Sequence, residues 1–220
     1  MHYILVGNGK MGRVYREYAE SFGDQCVGIY DADNIQALQH AEKAQVLIDF
    51  SSPGSLPHII NYLHKCPIPF VCGTTGFGDK QLCQINQLSD RMPVLVCSNF
   101  SLGLTVLNRA LISVSDLIGR FGFAVDLTEV HHKSKIDCPS ATALDLAKIA
   151  RIPKDNIVSY RIGKVVGQHT VTYTKTEETL QFSHIAKNRT VFAAGARMAA
   201  EKLLKCDPGL YQIEDLWEEG

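Results

Sequence analysis

The first hundred residues alternate short apolar runs with longer segments whose apolar side chains recur every three or four positions. Each run has four or five residues and is flanked by glycine, proline or polar residues, which favours a buried strand. These strands are predicted at residues 3–6, 26–30, 46–50, 69–72 and 94–97. Helices are predicted at residues 10–22, 58–65 and 80–91. Strands that alternate with helices in this way predict right-handed βαβ units and a parallel sheet.

The pattern changes after Ser101, where strands follow one another with fewer helices between them. Strands are predicted at residues 126–131, 159–162, 169–174 and 179–186, and helices at 104–118, 140–151 and 192–205. Such clustering of strands favours an antiparallel or mixed sheet. The fold class predicted for the whole chain is therefore α/β, with a Rossmann-type doubly wound parallel sheet plus a smaller α+β domain with a mixed sheet.

This change in pattern predicts two domains, which is compatible with a length of 220 residues. Residues 1–101 and 193–220 are predicted to form a dinucleotide-binding domain, because the last helix is expected to fold back onto the first module. Residues 102–192 are predicted to form the second domain.

Composition and charge narrow the class of protein. The apolar fraction of 45% is enough for a core, and 22 basic against 23 acidic residues give a net charge of −1. We therefore expect no nucleic-acid partner, and no membrane partner because no apolar run approaches the ~18 residues of a membrane span. The first residues carry no basic segment before their apolar stretch, so no secretory signal is predicted. Seven cysteines without a C-x-x-C pair favour a reducing cytoplasm.

A glycine-rich loop that fits G-x-G-x-x-G follows the first predicted strand and opens the first predicted helix. In that context the first glycine allows a tight turn, the second lets the backbone approach a pyrophosphate, and the third permits close helix–strand packing. The alternative is a glycine turn that binds nothing. The predicted cofactor loop consists of Gly7, Asn8, Gly9, Lys10, Met11 and Gly12.

Asp31 ends the second predicted strand, about 20 residues after the loop, where an acid holds the adenosine ribose in this type of site. An acid repels a 2′-phosphate, and the next basic residue along the chain is Lys43. NADH is therefore the favoured cofactor, and NADPH is a possible one.

Two further loops follow the fourth and fifth predicted strands, whose carboxyl ends border the ligand crevice of a doubly wound sheet. Small residues there can approach a nicotinamide ring, and exposed backbone groups can bind its carboxamide. Ordinary turn chemistry is the alternative for each loop. The predicted contacts are Gly73, Thr74, Thr75, Cys97, Ser98, Asn99 and Phe100.

Residues 129–142, EVHHKSKIDCPSAT, form the densest polar stretch of the chain. No metal site is predicted, because His131 and His132 point to opposite faces of a strand and zinc-type ligand spacing is missing. Lys135 can donate a proton or bind a carboxylate as a compact charge. The stretch favours a site for a small, multiply anionic substrate, and a surface patch of paired His and Lys side chains is the alternative.

Ser140 and Thr142 lie where the following helix is predicted to begin. Hydroxyl groups and free N–H groups at a helix start can bind a carboxylate. His169 either lines the same site or merely ends a strand, and the two interpretations weigh about equally.

The chain resembles the 4-hydroxy-tetrahydrodipicolinate reductase family, also called dihydrodipicolinate reductase. The resemblance covers nearly the whole chain, and the block at 129–143 is its most specific part. The matching motifs are G-x-G-x-M-G at 7–12, I-D-F-S-x-P at 48–53, G-T-T-G-F at 73–77, N-F-S-x-G at 99–103, E-x-H-H-x-x-K-x-D-x-P-S-x-T-A at 129–143, G-x-H-T at 167–170, R-x-x-F-A-x-G-A at 189–196 and G-L-Y at 209–211.

The resemblance implies an enzyme that transfers a hydride from NAD(P)H to 4-hydroxy-tetrahydrodipicolinate and releases tetrahydrodipicolinate and water, in diaminopimelate and lysine biosynthesis. It implies that His131 and Lys135 form the acid–base pair, with Lys135 as the proton donor. The residues that contact the cyclic dicarboxylate substrate would be His132, Ser140, Ala141 and Thr142. The resemblance further implies a homotetramer built through the sheet of the second domain, which would bind substrate and mediate oligomerisation.

Three features depart from the family pattern. Ala141 stands where the family commonly has glycine, the glycine loop is one residue shorter than in many members, and the chain itself is shorter. Two alternative functions stay open: a related amino-acid or imine dehydrogenase such as an aspartate dehydrogenase, and a homologue that binds a dinucleotide without turnover.

Overall fold

The computed structural model describes residues 1–216, and the contacts within it divide the chain into two units. Met1–Phe100 and the segment that begins at Thr190 form the N-terminal domain, and Ser101–Arg189 form the C-terminal domain. The boundaries predicted from the sequence lie within three residues of these. The last four residues of the predicted first domain, 217–220, lie outside the described residues. The functions assigned to the two domains stay predictions.

The helices and strands agree with the sequence prediction to within about three residues at each end. In chain order they are β1 (His2–Val6), α1 (Lys10–Glu20), β2 (Gln25–Tyr30), β3 (Val46–Asp49), α2 (Leu56–Lys65), β4 (Phe70–Cys72), α3 (Asp79–Leu88), β5 (Pro93–Val96), α4 (Leu102–Arg120), β6 (Ala124–His131), α5 (Ala141–Ala150), β7 (Ile157–Arg161), β8 (Gly167–Thr174), β9 (Thr179–Ala186), α6 (Thr190–Leu203) and β10 (Gly209–Tyr211).

The N-terminal domain is a six-stranded sheet in the order β10-β5-β4-β3-β1-β2, and every pairing in it is parallel. The four central strands are buried on both faces, with α1 and α6 on one side and α2 and α3 on the other, and the edge strands β2 and β10 are partly exposed. The strand order reverses between β1 and β3, which is the switch point where doubly wound sheets bind ligands. The predicted Rossmann-type sheet is therefore confirmed.

The C-terminal domain is a four-stranded sheet in the order β7-β6-β8-β9. Strands β6 and β7 are parallel and the other pairs are antiparallel, which confirms the predicted mixed sheet. One face packs against α4 and α5 around Leu111, Leu146 and Val171. The opposite face carries Val158 and Tyr160, which are 46% and 49% exposed.

Strand β10 is the element that the hydrophobic pattern did not predict. Its three residues pair in parallel with β5 at the edge of the first sheet. Three residues are too few to show a period of two, so G-L-Y was recognisable as a family motif but not as a strand.

Among residues 1–216, α4 is the one helix long and apolar enough to cross a membrane by length and composition. This departs from the expectation that no apolar run approaches that length. However, α4 contains Arg109 and Asp116, and it buries Leu107 and Leu111 in the core of the C-terminal domain. The core helix of a folded domain passes the same test, so this helix is weak evidence for a membrane.

Candidate active site

The glycine loop between β1 and α1 has the geometry that each of its glycines predicts. Gly7 has a φ of +100°, and a Cβ on it would lie 2.3 Å from the carbonyl oxygen of Phe50. A Cβ on Gly12 would lie 1.9 Å from the carbonyl oxygen of Gly7. Gly9 differs, because an added Cβ would meet no described atom within 4 Å. The first and third glycines are therefore required by the loop itself, and the second leaves open space beside it.

That open space lies at the start of α1. Gly9 is the N-cap, and no side chain in residues 1–216 caps the helix. The first-turn N–H groups, which include those of Lys10 and Met11, thus lack a capping side chain at the positive end of the helix dipole. Asn8 and Lys10 are exposed and Met11 is half-buried. This cradle fits the pyrophosphate of a dinucleotide.

Asp31 directly follows β2, and its backbone and carboxylate are held by the next turn. Its N–H donates to Asn34 Oδ1 at 2.7 Å, and its Oδ1 accepts from the N–H of Asp33 at 3.1 Å. These two bonds fix the carboxylate at the end of the strand while the other oxygen, Oδ2, takes no part in them.

The loop after β4 is packed more tightly than its small residues suggested. A Cβ on Gly73 would lie 2.3 Å from the ring of Phe50 and 3.0 Å from the ring of Phe100. These two rings pack edge to face at 5.8 Å, and Phe100 is buried. The missing side chain of Gly73 therefore makes room for two aromatic rings. Thr75 and Ser98 are the exposed side chains of the two loops.

A buried carboxylate that sequence reasoning did not single out fixes this edge of the sheet. Asp49 ends β3, and its Oδ1 accepts from the N–H of Ser51 at 3.0 Å and from its hydroxyl at 2.5 Å. The Ser51 N–H also donates to Thr74 Oγ1 at 2.9 Å. Burial raises the pKa of Asp49, against hydrogen bonds from Ser51 and Thr74 that lower it. Asp49 and Thr74 thus position the loop that contains Phe50. Cys97 donates to the carbonyl of Asn99 at 3.1 Å.

The predicted substrate region of the C-terminal domain contains Glu129, a fully buried carboxylate in β6. Its Oε1 accepts from Ser159 Oγ at 2.6 Å, Arg161 Nη2 at 3.0 Å and the N–H of Ser140 at 3.1 Å. Burial by itself raises the pKa of this carboxyl group, but the hydrogen bonds from Ser140, Ser159 and Arg161 outweigh that effect and hold the pKa at about 2. Glu129 is therefore an anion in the folded protein.

Two histidines lie beside this carboxylate. His131 Nδ1 is 3.2 Å from Glu129 Oε2, and His169 Nε2 is 3.7 Å from the same oxygen. The two imidazole rings meet edge to face at 5.1 Å. Burial lowers the pKa of His131, although the Glu129 charge opposes that effect. Burial and then the neighbouring His131 lower the pKa of His169 to about 3, so His169 is neutral at physiological pH.

Lys135 lies in the loop after β6, where its Nζ is 2.8 Å from Asp137 Oδ1. Burial raises the pKa of Asp137, but the hydrogen bond and charge of Lys135 outweigh it, and a bond from the N–H of Ala141 adds to the net lowering. The Asp137 carboxylate therefore lies between the Lys135 ammonium and the start of α5. His132, which is half-buried, has its Nδ1 2.9 Å from Ser134 Oγ.

The start of α5 carries the other predicted substrate contacts. Ser140 is the N-cap, and its Oγ accepts from the N–H of Ala143 at 3.2 Å and lies 3.3 Å from His169 Nε2. Because its N–H donates to Glu129, both polar groups of Ser140 are engaged inside the protein. Ala141 is exposed and Thr142 is half-buried. The structure thus gives Ser140 an internal role and leaves the next two residues at the surface.

Glu129, His131 and His169 each offer a ligand atom, and these atoms lie within 4.8 Å of one another. By distance alone they could hold a metal ion. The Arg161 guanidinium contacts the same carboxylate, and its positive charge opposes a second cation there. We therefore interpret the cluster as a hydrogen-bonding and charge network, and the absence of a metal stays a prediction.

Sequence reasoning missed Glu129 and Arg161 as members of the site and left His169 undecided. Glu129 was visible as the first residue of the block at 129–143, and a carboxylate two positions before a histidine shares its strand face. Arg161 lies 32 residues after Glu129 along the chain, and only the pairing of β7 with β6 brings the two together. His169 faces the same cluster from β8.

The parallel sheet with its glycine loop, followed by a separate mixed-sheet domain with a charged cluster, defines a two-domain protein of the Rossmann class. Sequence profiles described as "dihydrodipicolinate reductase, N-terminus" and "dihydrodipicolinate reductase, C-terminus" match residues 1–100 and 103–217. The chain belongs to the dihydrodipicolinate reductase family. The second match separates it from dehydrogenases that share only the first domain.

Individual relatives agree with this membership. The chain is 43% identical to the 4-hydroxy-tetrahydrodipicolinate reductase of Bdellovibrio bacteriovorus over 80% of this chain and 77% of that protein. It is 34% identical to the enzyme of the same name from Campylobacter jejuni over 96% of each chain. A dipicolinate-bound dihydrodipicolinate reductase from Paenisporosarcina sp. TG-14 has the same fold, with a TM-score of 0.76 and 17% identity over 96% of this chain and 97% of that one.

Proposed function

We propose that this protein is a 4-hydroxy-tetrahydrodipicolinate reductase of diaminopimelate and lysine biosynthesis. The net reaction consumes the cyclic hydroxy-dicarboxylate, NAD(P)H and a proton, and it releases tetrahydrodipicolinate, NAD(P)⁺ and water. The observation that carries the proposal is the family match over both domains, which includes the complete block at 129–143. The names of the Bdellovibrio and Campylobacter relatives support it.

The nucleotide half-site lies in the N-terminal domain. The loop from Gly7 to Gly12 would hold the pyrophosphate, because the space beside Gly9 is open and the start of α1 has no side-chain cap in the described chain. A bound reduced nicotinamide supplies the hydride that ring carbon C4 of the substrate accepts. The residues proposed to border the nicotinamide are Gly73, Thr74, Thr75, Cys97, Ser98, Asn99 and Phe100.

We infer that NADH is preferred over NADPH. Asp31 carries its carboxylate at the end of β2, where it would accept hydrogen bonds from the adenosine ribose hydroxyls. A 2′-phosphate at that place would face the same negative charge, and residues 32–42 add no lysine or arginine to offset it.

The substrate half-site lies in the C-terminal domain. Its positive groups are Lys135 and, when protonated, His132, and the helix start at Ala141 and Thr142 would supply N–H groups for a carboxylate. Asp137 now takes that anionic position, with Lys135 at 2.8 Å. A substrate carboxylate would displace Asp137 and take over both contacts. Ser140 would act behind this surface by holding the start of α5.

His131 and Lys135 would form the acid–base pair. Water forms from the 4-hydroxyl group and a proton that ring carbon C3 loses. Once the hydride has reached C4, the Lys135 ammonium would donate one proton to C3. His131 would exchange a proton at Nε2, the ring nitrogen that faces away from Glu129. A positioned acid of this kind contributes roughly 10²–10⁴-fold to the rate.

We infer a homotetramer built through the face of the second sheet that α4 and α5 leave uncovered. That face carries Val158, Tyr160 and Ile185, about half-exposed, and apolar side chains of this size are typical of subunit interfaces. Light scattering on a size-exclusion column tests this: we expect a mass near four chains for the wild type and a smaller mass for Tyr160→Asp.

We also infer a cytoplasmic location. All seven cysteines are free thiols and lie in the described part of the chain. Unpaired cysteines in this number are typical of a reducing compartment.

A direct assay tests the function. The condensation product of aspartate semialdehyde and pyruvate is supplied together with NADH or NADPH, and absorbance of the reduced nucleotide is followed. We expect oxidation of one nucleotide per substrate. Oxidation of L-aspartate with NAD⁺, or dinucleotide binding without any turnover, would contradict the proposal and favour one of the two alternative functions.

A further inference from the structure

Glu129 has no role in binding or proton transfer in the function proposed above, yet it is fully buried and charged. Its Oε1 accepts from three donors on two separate segments: Ser140 at the start of α5, and Ser159 and Arg161 on β7. Removing a carboxylate from water is unfavourable unless it is paired, and here the pairing is nearly complete on one oxygen. Three donors on one oxygen also prevent the group from rotating.

The other oxygen, Oε2, is directed at the histidine pair. It lies 3.2 Å from His131 Nδ1, and both atoms are buried without a hydrogen-bond partner among the described residues. The pair is within ion-pair distance but off the line of a hydrogen bond, a geometry that often tightens when substrate binds. A buried acceptor therefore faces a ring nitrogen that needs a partner.

We propose that Glu129 is a positioning residue: its fixed carboxylate selects the His131 tautomer with the proton on Nδ1 and so leaves Nε2 to exchange a proton with the reacting molecule. The proposal rests on the proposed function, in which His131 belongs to the acid–base pair. The same logic operates wherever a carboxylate orients a catalytic imidazole through the nitrogen that does not react.

The other charges near the ring are balanced in pairs. Asp137 offsets Lys135, and Glu129 offsets Arg161, while His169 stays neutral. When Nε2 takes up a proton, the imidazolium gains a fixed anion at Nδ1. Without the Glu129 charge, the ring would face Arg161 and Lys135 with less compensation, and its pKa would fall. The groups that face His131 are Glu129, Lys135, Asp137, Arg161 and His169.

A second observation concerns the other nitrogen of the ring. Gly167, the first residue of β8, lies next to His131 Nε2, and a Cβ on Gly167 would come within 3.1 Å of that nitrogen. A side chain at this position would crowd Nε2. Glu129 and Gly167 thus lie at opposite ends of one ring: the first faces Nδ1 and the second leaves Nε2 clear.

The first experiment reads the tautomer directly. Full-length protein labelled with ¹⁵N at the histidine rings gives distinct nitrogen shifts for protonated and unprotonated Nδ1 and Nε2. The signals of His131 are identified as those lost in His131→Gln. At pH 7.5 we expect the proton on Nδ1. A neutral ring with its proton on Nε2 overturns the proposal, whatever any variant does.

The second experiment uses Glu129→Gln, with Glu177→Gln as the matched control because Glu177 is exposed in the β8–β9 turn. Glutamine can keep the oxygen that accepts from Ser140, Ser159 and Arg161, but it presents an N–H₂ group to His131 Nδ1. The expected results are a proton on Nε2, kcat lower by about 10²-fold with KM within a few-fold, and a pH profile whose His131 limb moves to lower pH. The control should match the wild type.

Each outcome decides between positioning and structure. A lower kcat with an unchanged tautomer and pH profile would mean that Glu129 serves folding only, which overturns the proposal. If Glu129→Gln does not fold, the wild-type spectrum still shows which ring nitrogen of His131 carries the proton and so decides the proposal. If the wild type does not turn over the substrate, the proposed function fails, and the spectrum still tests whether Glu129 sets the tautomer of His131.

Discussion

The glycine loop of the N-terminal domain and the charged cluster of the C-terminal domain are suited to hold anions by different means. The loop uses backbone alone: Gly7 and Gly12 make the turn possible, and Gly9 leaves open space at the start of α1. The cluster uses side chains instead, with Glu129 buried among its partners and Lys135 paired to a neighbouring carboxylate. A backbone site carries no titratable group, whereas a side-chain site responds to pH and to the loss of single charges.

The largest effect is expected at Lys135. Lys135→Ala removes the proposed proton donor, so kcat should fall by roughly 10²–10⁴-fold while KM rises far less. Steady-state kinetics with the condensation product measures both. The control is Lys133→Ala, because Lys133 is exposed two residues away in the same loop. If Lys135→Ala turns over within a few-fold of the wild type, Lys135 is not the proton donor. The C-terminal site would then depend less on single charges than the comparison with the glycine loop states.

The charged cluster should also make the protein sensitive to acid. His169 has a pKa of about 3 when folded and 6.5 as a free side chain, so the unfolded chain binds the extra proton between these values. The stability that neutral His169 contributes is complete above pH 6.5 and declines below it by about 1.4 kcal/mol per pH unit. The pKa of Glu129 is about 2 in the folded protein and 4.5 for a free side chain, so protonation of the unfolded chain lowers stability further below pH 4.5.

Urea denaturation at several pH values between 7.5 and 5 measures this slope. His169→Gln should flatten it, and His40→Gln, which changes an exposed histidine of the other domain, should leave it unchanged. A slope that is equally steep in His169→Gln would show that this histidine is not buried in its neutral form.

In the backbone site, Gly9→Ala and Gly12→Ala should separate binding from folding. Gly9→Ala places a methyl group in open space, so thermal stability should be retained while NADH binds at least about tenfold more weakly. Gly12→Ala drives a methyl group against the carbonyl of Gly7 and should lower stability by about 1–3 kcal/mol. Calorimetric titration and thermal unfolding provide the two measurements. Normal NADH affinity in Gly9→Ala would mean that the pyrophosphate does not approach the loop.

The smallest effect is expected at Asp31, where the nucleotide site does use a side chain. Asp31→Ala should weaken the binding of NADH by about 3- to 10-fold, because hydrogen bonds to the ribose are lost. It should also reduce the difference in affinity between NADH and NADPH. Asp33→Ala removes an equal charge two residues away and serves as the control. Titration of both nucleotides against each variant checks this, and an unchanged NADH affinity would argue against the ribose role.

How much of each region could be predicted follows from the same contrast. The loop was predictable residue by residue, because the need for glycine at positions 7 and 12 is decided by atoms within one βαβ unit and its neighbouring strand. The block at 129–143 could be recognised from the sequence as a polar site, but the residues from other strands that contact it could not. Arg161 and His169 reach Glu129 through strand pairings that no local pattern specifies.

Packing gives Gly73 a second reason to be glycine. A Cβ at this position would meet the rings of Phe50 and Phe100, and the predicted contact of Gly73 with the nicotinamide stays a prediction. Both phenylalanines were visible in the sequence, but their convergence depends on β3 and β5 flanking β4. Small residues at the end of a strand therefore predict that another group packs closely against the backbone, but they do not specify whether that group is a ligand or a side chain of the protein.

The division of the N-terminal domain along the chain has a consequence for synthesis on the ribosome. Helix α6 supplies Ala193, Ala196 and Leu203 to one apolar layer of the first sheet, and β10 completes its edge. Both elements are translated after the whole of Ser101–Arg189. The first sheet of the nascent chain therefore keeps one apolar face exposed to solvent until the inserted domain has been synthesised. A chaperone would find the largest exposed apolar surface during this interval.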